Sequence, residues 1–323
     1  MPLSSEQEII AVFLRHQSVS CWQMTAAQGQ RLEELMPGYR VVLCADEEDF
    51  VRQLSRARIA ITWRCRQQWL NQASRLQILA TPAAGKDYFT VTLPPGVVLL
   101  NGQFHGELMA ETAVGAILAL YRGILPAVSQ YAAEPWPRTE LSRRMRPLRG
   151  SHIGILGFGH IGQAIGGLLK PFGVRITGFR KNPQLPAPDW FVPGEDACFG
   201  PSELDRVLPA LEHIVLTLPR SPDTDNILDA RRLALLPRHA SVSNFGRGNA
   251  IELPALLQAL RSGQLSGAFL DVFPREPLDQ ADAELLSCPN LWRLPHLSAV
   301  ADNYLDLFIR DFVRQYRLCS SGR

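Results

Sequence analysis

Short apolar runs alternate with longer amphipathic stretches along most of the chain. In the first part, Ile9–Leu14, Arg40–Cys44, Arg58–Trp63, Leu76–Ala80 and Val97–Leu100 are rich in Val, Ile and Leu and read as strands. Between them, Thr25–Met36, Glu47–Leu54 and Gln67–Ala73 carry the wider spacing of helices. A longer helix is predicted over Glu107–Leu125, where Met109, Ala113, Ala116, Ile117, Leu120 and Ile124 recur at helical intervals. From Ser151 a second series begins, with strands at His152–Leu156, Val174–Phe179, His213–Leu218, Ser241–Asn244, Ala268–Val272 and Asn290–Leu294. A last helix is expected over Asp302–Tyr316. Strands alternating with helices imply parallel sheets with helices covering their faces. The fold class is therefore α/β, with two doubly wound parallel-sheet domains.

The stretch Ala127–Gly150 breaks the alternation. It is polar and basic, holds Pro135, Pro137 and Pro147, and carries Arg143, Arg144, Met145 and Arg146 in a row. It reads either as an exposed connection between domains or as an arm that packs on a second subunit.

Composition narrows the function classes. With 46% hydrophobic and 20% charged residues over 323 positions, the chain has the balance of a soluble globular protein long enough for two cores. Lys and Arg total 33 against 31 Asp and Glu, so no single-sign field draws it to nucleic acid or to a membrane surface. No apolar run approaches the roughly 20 residues that span a bilayer. Met1–Phe13 carries Glu6 and Glu8 instead of a basic leader, and no secretory signal is expected there. The cysteines at 21, 44, 65, 198, 288 and 319 lie scattered, without C-x-x-C pairs. Free thiols in a reducing, cytoplasmic setting are expected, and no metal site.

The sharpest local signal is the apolar run His152–Leu156 entering Gly157-Phe158-Gly159-His160-Ile161-Gly162, followed by a helical stretch to Phe172. A strand, a G-x-G-x-x-G turn, a helix and a second strand make a dinucleotide site. Gly157 permits the tight turn, Gly159 lets the backbone approach a pyrophosphate, and Gly162 lets helix and strand pack closely. The helix N-terminus supplies N–H groups and partial positive charge. At the end of the second strand an acidic residue would accept the ribose hydroxyls of NAD. Here Arg180 and Lys181 stand instead, Arg180 falling 18 residues after Gly162. A guanidinium suits a 2′-phosphate and offers a diol no acceptor, so NADP is expected, with NAD the alternative if both cations are merely solvated.

Reduction of a 2-keto acid needs a cation for the carboxylate and carbonyl, a general acid for the carbonyl oxygen, and a partner that keeps that acid protonated. Three segments after predicted strands could supply them. These are Ser243-Asn244-Phe245-Gly246-Arg247-Gly248, Leu270-Asp271-Val272-Phe273-Pro274-Arg275-Glu276-Pro277-Leu278 and Leu294-Pro295-His296-Leu297-Ser298. Singly, Arg247 also reads as a surface charge, Glu276 as a turn residue and His296 as a packed histidine.

Together with Met109-Ala110-Glu111 and Leu216–Leu228, these segments resemble the D-isomer-specific 2-hydroxyacid dehydrogenases, from about Leu76 to His296. The resemblance implies a Rossmann cofactor domain (102–290) inserted in a discontinuous flavodoxin-like substrate domain (1–101 and 291–323). It makes Arg247 the substrate grip, His296 the acid–base group and Glu276 its partner. It also implies that Asp271 meets the nicotinamide carboxamide, that Leu218, Pro219, Phe245 and Gly246 line the cofactor, and that Ala84 and Gly85 bind the substrate carboxylate, with Lys86 beside them. A homodimer formed through Glu107–Arg149 is likewise a family expectation. The expected reaction is reduction of a small 2-keto acid of the glyoxylate or hydroxypyruvate type. Gln does not replace Glu276, as in formate dehydrogenases, and Ala84 stands where phosphite dehydrogenases place Lys. The short stretch after His296 is expected to leave no room for a C-terminal regulatory domain. A phosphoglycerate dehydrogenase-like enzyme and a dinucleotide-sensing corepressor-like protein are the alternatives.

Overall fold

A computed structural model describes residues 7–85, 89–130 and 135–321. The chain divides into two compact units, one of Met1–His105 with Val300–Arg323 and the other of Gly106–Ala299.

The first unit runs β1 (Glu8–Phe13), α1 (Ala26–Leu35), β2 (Tyr39–Leu43), α2 (Glu47–Leu54), β3 (Ala57–Thr62), α3 (Gln67–Leu70), β4 (Ile78–Thr81) and β5 (Val98–Asn101). Helix starts are set locally. Thr25 and Gln28 form a reciprocal capping box for α1, and the Asp46 carboxylate accepts the Asp49 N–H at the head of α2. The five strands are parallel in the order β2-β1-β3-β4-β5, the flavodoxin-like arrangement. Ala11, Phe50, Leu54, Ala60, Trp69 and Leu79 fill the core on one side of this sheet.

The second unit follows with α4 (His105–Tyr121), α5 (Ile124–Gln130), α6 (Arg138–Ser142), β6 (His152–Leu156), α7 (His160–Leu169), β7 (Arg175–Phe179) and β8 (Ala197–Phe199). It continues through α8 (Leu204–Val207), β9 (His213–Leu216), α9 (Ala230–Leu235), β10 (Ser241–Asn244), α10 (Leu253–Arg261), β11 (Gly267–Leu270), α11 (Ala283–Leu286) and β12 (Leu291–Arg293). Its seven parallel strands lie in the order β12-β11-β10-β9-β6-β7-β8. The winding reverses between β6 and β9, and such a switch point opens a crevice at the carboxyl ends of the strands. Ile153, Ile155, Phe158, Ile165, Ile176 and Val215 pack one face, and Leu216, Leu228, Val242, Leu256 and Leu270 the other. The chain returns to the first unit through α12 (Tyr304–Ser321), which buries Leu305, Phe308, Ile309 and Phe312.

Two expectations are corrected. β12 pairs with β11, so 291–299 belongs to the second unit and the return begins at Val300 instead of Leu291. The helix predicted over Glu107–Leu125 breaks at Gly123, whose φ of 66° ends α4 in the left-handed region that glycine tolerates. The segment after it, expected as an exposed connection or as an arm on a second subunit, contains α5 and α6, which fits either. The three-residue strand β8 carries too little apolar pattern to have been predicted.

Among the described residues no helix is long and apolar enough to cross a membrane.

A Cβ on Gly178 in β7 would stand 2.3 Å from the ring of Phe158, itself fully buried and packed edge-on against Trp190. Gly178→Ala is therefore expected to destabilise the protein by about 1–3 kcal/mol through overpacking, read from urea unfolding midpoints. An unchanged midpoint would show that the Phe158 ring can yield.

Candidate active site

The carboxyl end of β6 is shaped for a dinucleotide. Gly157 has a φ of 97°, and a Cβ there would meet the Thr217 carbonyl carbon at 2.8 Å. Thr217 Oγ1 donates to the Gly157 carbonyl at 2.8 Å and ties the turn to the residue after β9. At Gly162 a Cβ would lie 2.6 Å from that same carbonyl oxygen. Gly159 differs: no atom lies within 4 Å of its Cβ position, and the residue is exposed. Two of the glycines are thus required by the protein's own packing, and the third faces open space. Gly159 is also the N-cap of α7. The N–H groups of His160 and Ile161 that open this helix have no preceding turn to supply a carbonyl. A diphosphate fits this cradle, and Gly159, His160 and Ile161 are the residues that would hold it.

Phe158 stands in the motif but does not face that space. Its side chain is buried, and its N–H donates to the Phe179 carbonyl at 2.9 Å. Phe245 is likewise buried, against Phe269 in the core. Leu218 is half-buried and Pro219 exposed beyond β9, next to the switch point. Gly246 packs on Leu218, and a Cβ there would come within 2.6 Å of the Leu218 backbone. At the end of β7, the Arg180 guanidinium lies over the Phe158 ring and donates to the carbonyls of Leu185 and Pro186. Lys181 Nζ pairs with Asp223 at 2.6 Å.

The catalytic candidates come from the ends of β10, β11 and β12. After β10, Asn244 clamps the turn from both sides. Its Oδ1 accepts the Gly246 N–H at 3.0 Å and its Nδ2 donates to the Arg247 carbonyl at 2.9 Å. Gly248 lets this turn press on the next loop, since a Cβ there would fall 1.9 Å from the Phe273 carbonyl carbon. The contact brings Arg247 beside the loop that carries Glu276. Beyond β12, His296 adopts a φ of 54°, rare for a residue with a Cβ. Its N–H donates to the Asp271 carbonyl at 2.8 Å, while Leu297 N–H and Ser298 N–H donate to the two Asp271 carboxylate oxygens at 2.8 and 3.2 Å. Thr112 Oγ1 adds a bond to the Ser298 carbonyl at 2.9 Å. Asp271 itself is fully buried. It serves as the anchor of the His296 turn.

From that turn His296 Nδ1 meets Glu276 Oε2 at 2.8 Å, and the other Glu276 oxygen accepts the Phe273 N–H at 2.9 Å. The two side chains are 39% and 34% exposed, so the pair is reachable from outside. The Glu276 hydrogen bond raises the His296 pKa above the ordinary imidazole value. Burial and the Arg247 charge oppose this, and the charges of Glu276 and Asp271 reinforce it. Burial pushes the Glu276 carboxyl up, but bonds from His296 and the Phe273 N–H, with the charges of His296 and Arg247, leave it below its usual range. Arg247 acts electrostatically on both partners, and its Nη1 donates to the Gly246 carbonyl at 2.9 Å. All three sequence-predicted catalytic residues meet at one edge of the second sheet.

The loop expected to bind substrate belongs to the first unit. Asn101 Nδ2 donates to the Gly85 carbonyl at 3.1 Å, and the Gly102 N–H bonds the carbonyls of Thr81 and Ala83. Ala84 is exposed, and among the described residues no acceptor takes the N–H of Ala84 or Gly85. Lys86 lies outside the described residues.

With this geometry in place, comparison with known proteins is decisive. Residues 114–298, more than half of the chain, match the model of the D-isomer specific 2-hydroxyacid dehydrogenase NAD binding domain. The chain belongs to the D-isomer specific 2-hydroxyacid dehydrogenases. It is 27% identical over 289 residues to a glycerate dehydrogenase of Methylorubrum extorquens, covering 85% of this chain and 87% of that one. To the D-3-phosphoglycerate dehydrogenase of Sus scrofa it is 31% identical over 69% of its own length but only 42% of the pig protein, less than half of that relative. A D-isomer specific 2-hydroxyacid dehydrogenase family protein from Aeromonas salmonicida superposes with a TM-score of 0.74 at 29% identity, over 96% of both chains.

In this dehydrogenase the sequence reading missed Thr217, Asn244 and Gly248 as residues that shape the site. For the last two the signal was present, because both sit in the N-x-G-R-G pattern, but their role lies in contacts that no spacing reveals.

Gly159→Ala places a methyl group only where a ligand would lie. The variant is expected to keep its melting temperature while its dinucleotide Kd, from calorimetric titration, rises at least about tenfold, or 1.4 kcal/mol. Unaltered affinity would sink the assignment of this cradle to the diphosphate.

Proposed function

We propose that this dehydrogenase reduces a small 2-keto acid of the glyoxylate or hydroxypyruvate type to the D-2-hydroxy acid with NADPH. The observation that carries the reading is the His296–Glu276 pair standing beside Arg247, at the same edge of the sheet that ends in the glycine cradle. When bound, a reduced nicotinamide supplies the hydride. Arg247 grips the carboxylate and polarises the keto group. His296 gives the proton on Nε2 to the carbonyl oxygen, while Glu276 holds Nδ1, orients the ring and keeps it protonated near neutral pH. A raised His296 pKa favours the reductive direction, which consumes that proton. For the cofactor, Arg180 and Lys181 supply two cations at the end of β7 and no carboxylate, which supports NADPH over NADH.

We propose further that two copies associate. Val128, Trp136 and Met145 within the basic segment, with Ile124 just before it, expose 72%, 70%, 44% and 55% of their surface, and large apolar side chains gathered in this way mark an interaction surface. Six free cysteines fit a reducing, cytoplasmic setting.

Following absorbance at 340 nm with glyoxylate, hydroxypyruvate, pyruvate and phenylpyruvate tests the chemistry. His296→Ala is expected to lower kcat by roughly 10²–10⁴. The reductive kcat/KM should be flat at low pH and fall as pH rises through the raised His296 pKa. Glu276→Gln removes the charge that raises it, so the fall should move to lower pH. Identical profiles would separate Glu276 from the His296 proton. Dinucleotide binding without turnover of any keto acid would favour a sensing role instead.

Light scattering on Trp136→Asp tests the association. A dimer in the parent protein and a monomer in the variant are expected, and an unchanged mass in the variant would remove this segment from the interface.

A further inference from the structure

The Lys181–Asp223 ion pair has no part in the chemistry described above, and its place in the fold gives it a different one. Lys181 stands just past β7, and Asp223 lies in the single turn Pro222–Thr224 that follows β9. In the sheet β6 runs between β9 and β7. The pair therefore bridges the two strands that flank β6, beyond the edge where β6 enters the Gly157–Gly159 cradle. The Asp223 turn is held in place. Ser221 N–H donates to Thr224 Oγ1 at 3.0 Å, and Thr224 Oγ1 donates to the Pro219 carbonyl at 2.8 Å. Lys181 and Asp223 are 76% and 68% exposed at a separation of 2.6 Å. Such a pair is weak and exchanges readily with a competing anion. Arg180, by contrast, is tied to the carbonyls of Leu185 and Pro186.

We propose that Asp223 is a specificity-determining residue that holds Lys181 in competition with the 2′-phosphate of NADPH. The inference rests on the reading of Arg180 and Lys181 as the phosphate site. A phosphate arriving at Lys181 must displace the Asp223 carboxylate or share the ammonium with it, and either way it meets a like charge at close range. NADH brings no phosphate there and is indifferent to Asp223. The residue thus weakens discrimination between the two cofactors without touching the reacting atoms.

Asp223→Asn removes the competing charge at an exposed position, and an unchanged melting temperature verifies the fold. Steady-state kinetics with each cofactor in turn is the test. The KM for NADPH is expected to fall roughly three- to tenfold, with kcat and the KM for NADH unchanged. The gain should shrink at high salt. It should also largely vanish in a Lys181→Ala background, where no ammonium remains to be released. A KM for NADPH that moves less than twofold, or a KM for NADH that falls in parallel, would overturn the proposal. The wild-type preference between NADPH and NADH separately tests the phosphate site itself. A protein that prefers NADH but whose ratio shifts on Asp223→Asn would refute NADPH as the preferred cofactor and keep Lys181 as the group that the phosphate meets.

Discussion

The catalytic edge depends on one buried carboxylate. Asp271, at the end of β11, has no exposed surface, and burial raises its pKa against the hydrogen bonds it accepts from Ser298 and Leu297. A carboxylate in such a place is tolerable only when fully bonded. The two N–H groups that satisfy it belong to the residues just after His296, and the Asp271 carbonyl takes the His296 N–H as well. One residue thereby fixes three successive N–H groups and holds His296 at a φ of 54°, a conformation costing on the order of 1–3 kcal/mol. The strain is local and the anchoring is distributed, so the imidazole is presented at a fixed angle to Glu276. Pre-organisation of this kind lets a side chain on a loop act with the precision of one on a strand.

The neighbouring segments are coupled by the same economy. Asn244 ties Gly246 to Arg247 and sets the direction in which the guanidinium leaves the turn. Gly248 then allows that turn to touch the Phe273 backbone, in the loop that also delivers Glu276. Three loops from three adjacent strands converge because two glycines and one asparagine permit backbone to lie on backbone. The dinucleotide cradle lies at the switch point of the same sheet, so the parallel arrangement places both halves of the chemistry along one line of strand ends.

Much of this was legible in the sequence, for reasons that differ from residue to residue. The glycine cradle could be read because its constraints are short-range: a turn, a close approach and a helix start within six positions. Arg247, Glu276 and His296 could be read because each sits in a pattern of several residues that agree. Phe158 and Phe245 could not be placed, since a phenylalanine in a ligand-binding motif and one in the core beneath it have the same neighbours in sequence. Their burial is decided by Gly178 and Phe269, which come from other strands. The strand at β12 was legible as part of the second series, but the resemblance set the return at Leu291, ahead of the Val300 that its pairing with β11 dictates. Asp271 was singled out, but not for its hold on the His296 turn. Its position after β11 was clear, but only the return of the chain after β12 shows which groups reach it.

The His296–Glu276 pair links this architecture to pH with a definite sign. His296 has a folded pKa above its ordinary value, so its contribution to stability is fully present below that ordinary value and is lost as pH rises through the raised one. Glu276 has a folded pKa below its ordinary value, so its contribution is present above the ordinary carboxylate range and is lost as pH falls through the lowered one. Between those limits the two groups form an ion pair, and there the imidazolium is also available as an acid. The acid form of His296 persists below the span as well, so only its upper limit is shared by the ion pair and the acid. Arg247 tempers it, because its charge favours the ionised Glu276 and disfavours the ionised His296. A substrate carboxylate bound to Arg247 would offset that charge. His296 would then hold its proton more firmly in the loaded site than in the empty one.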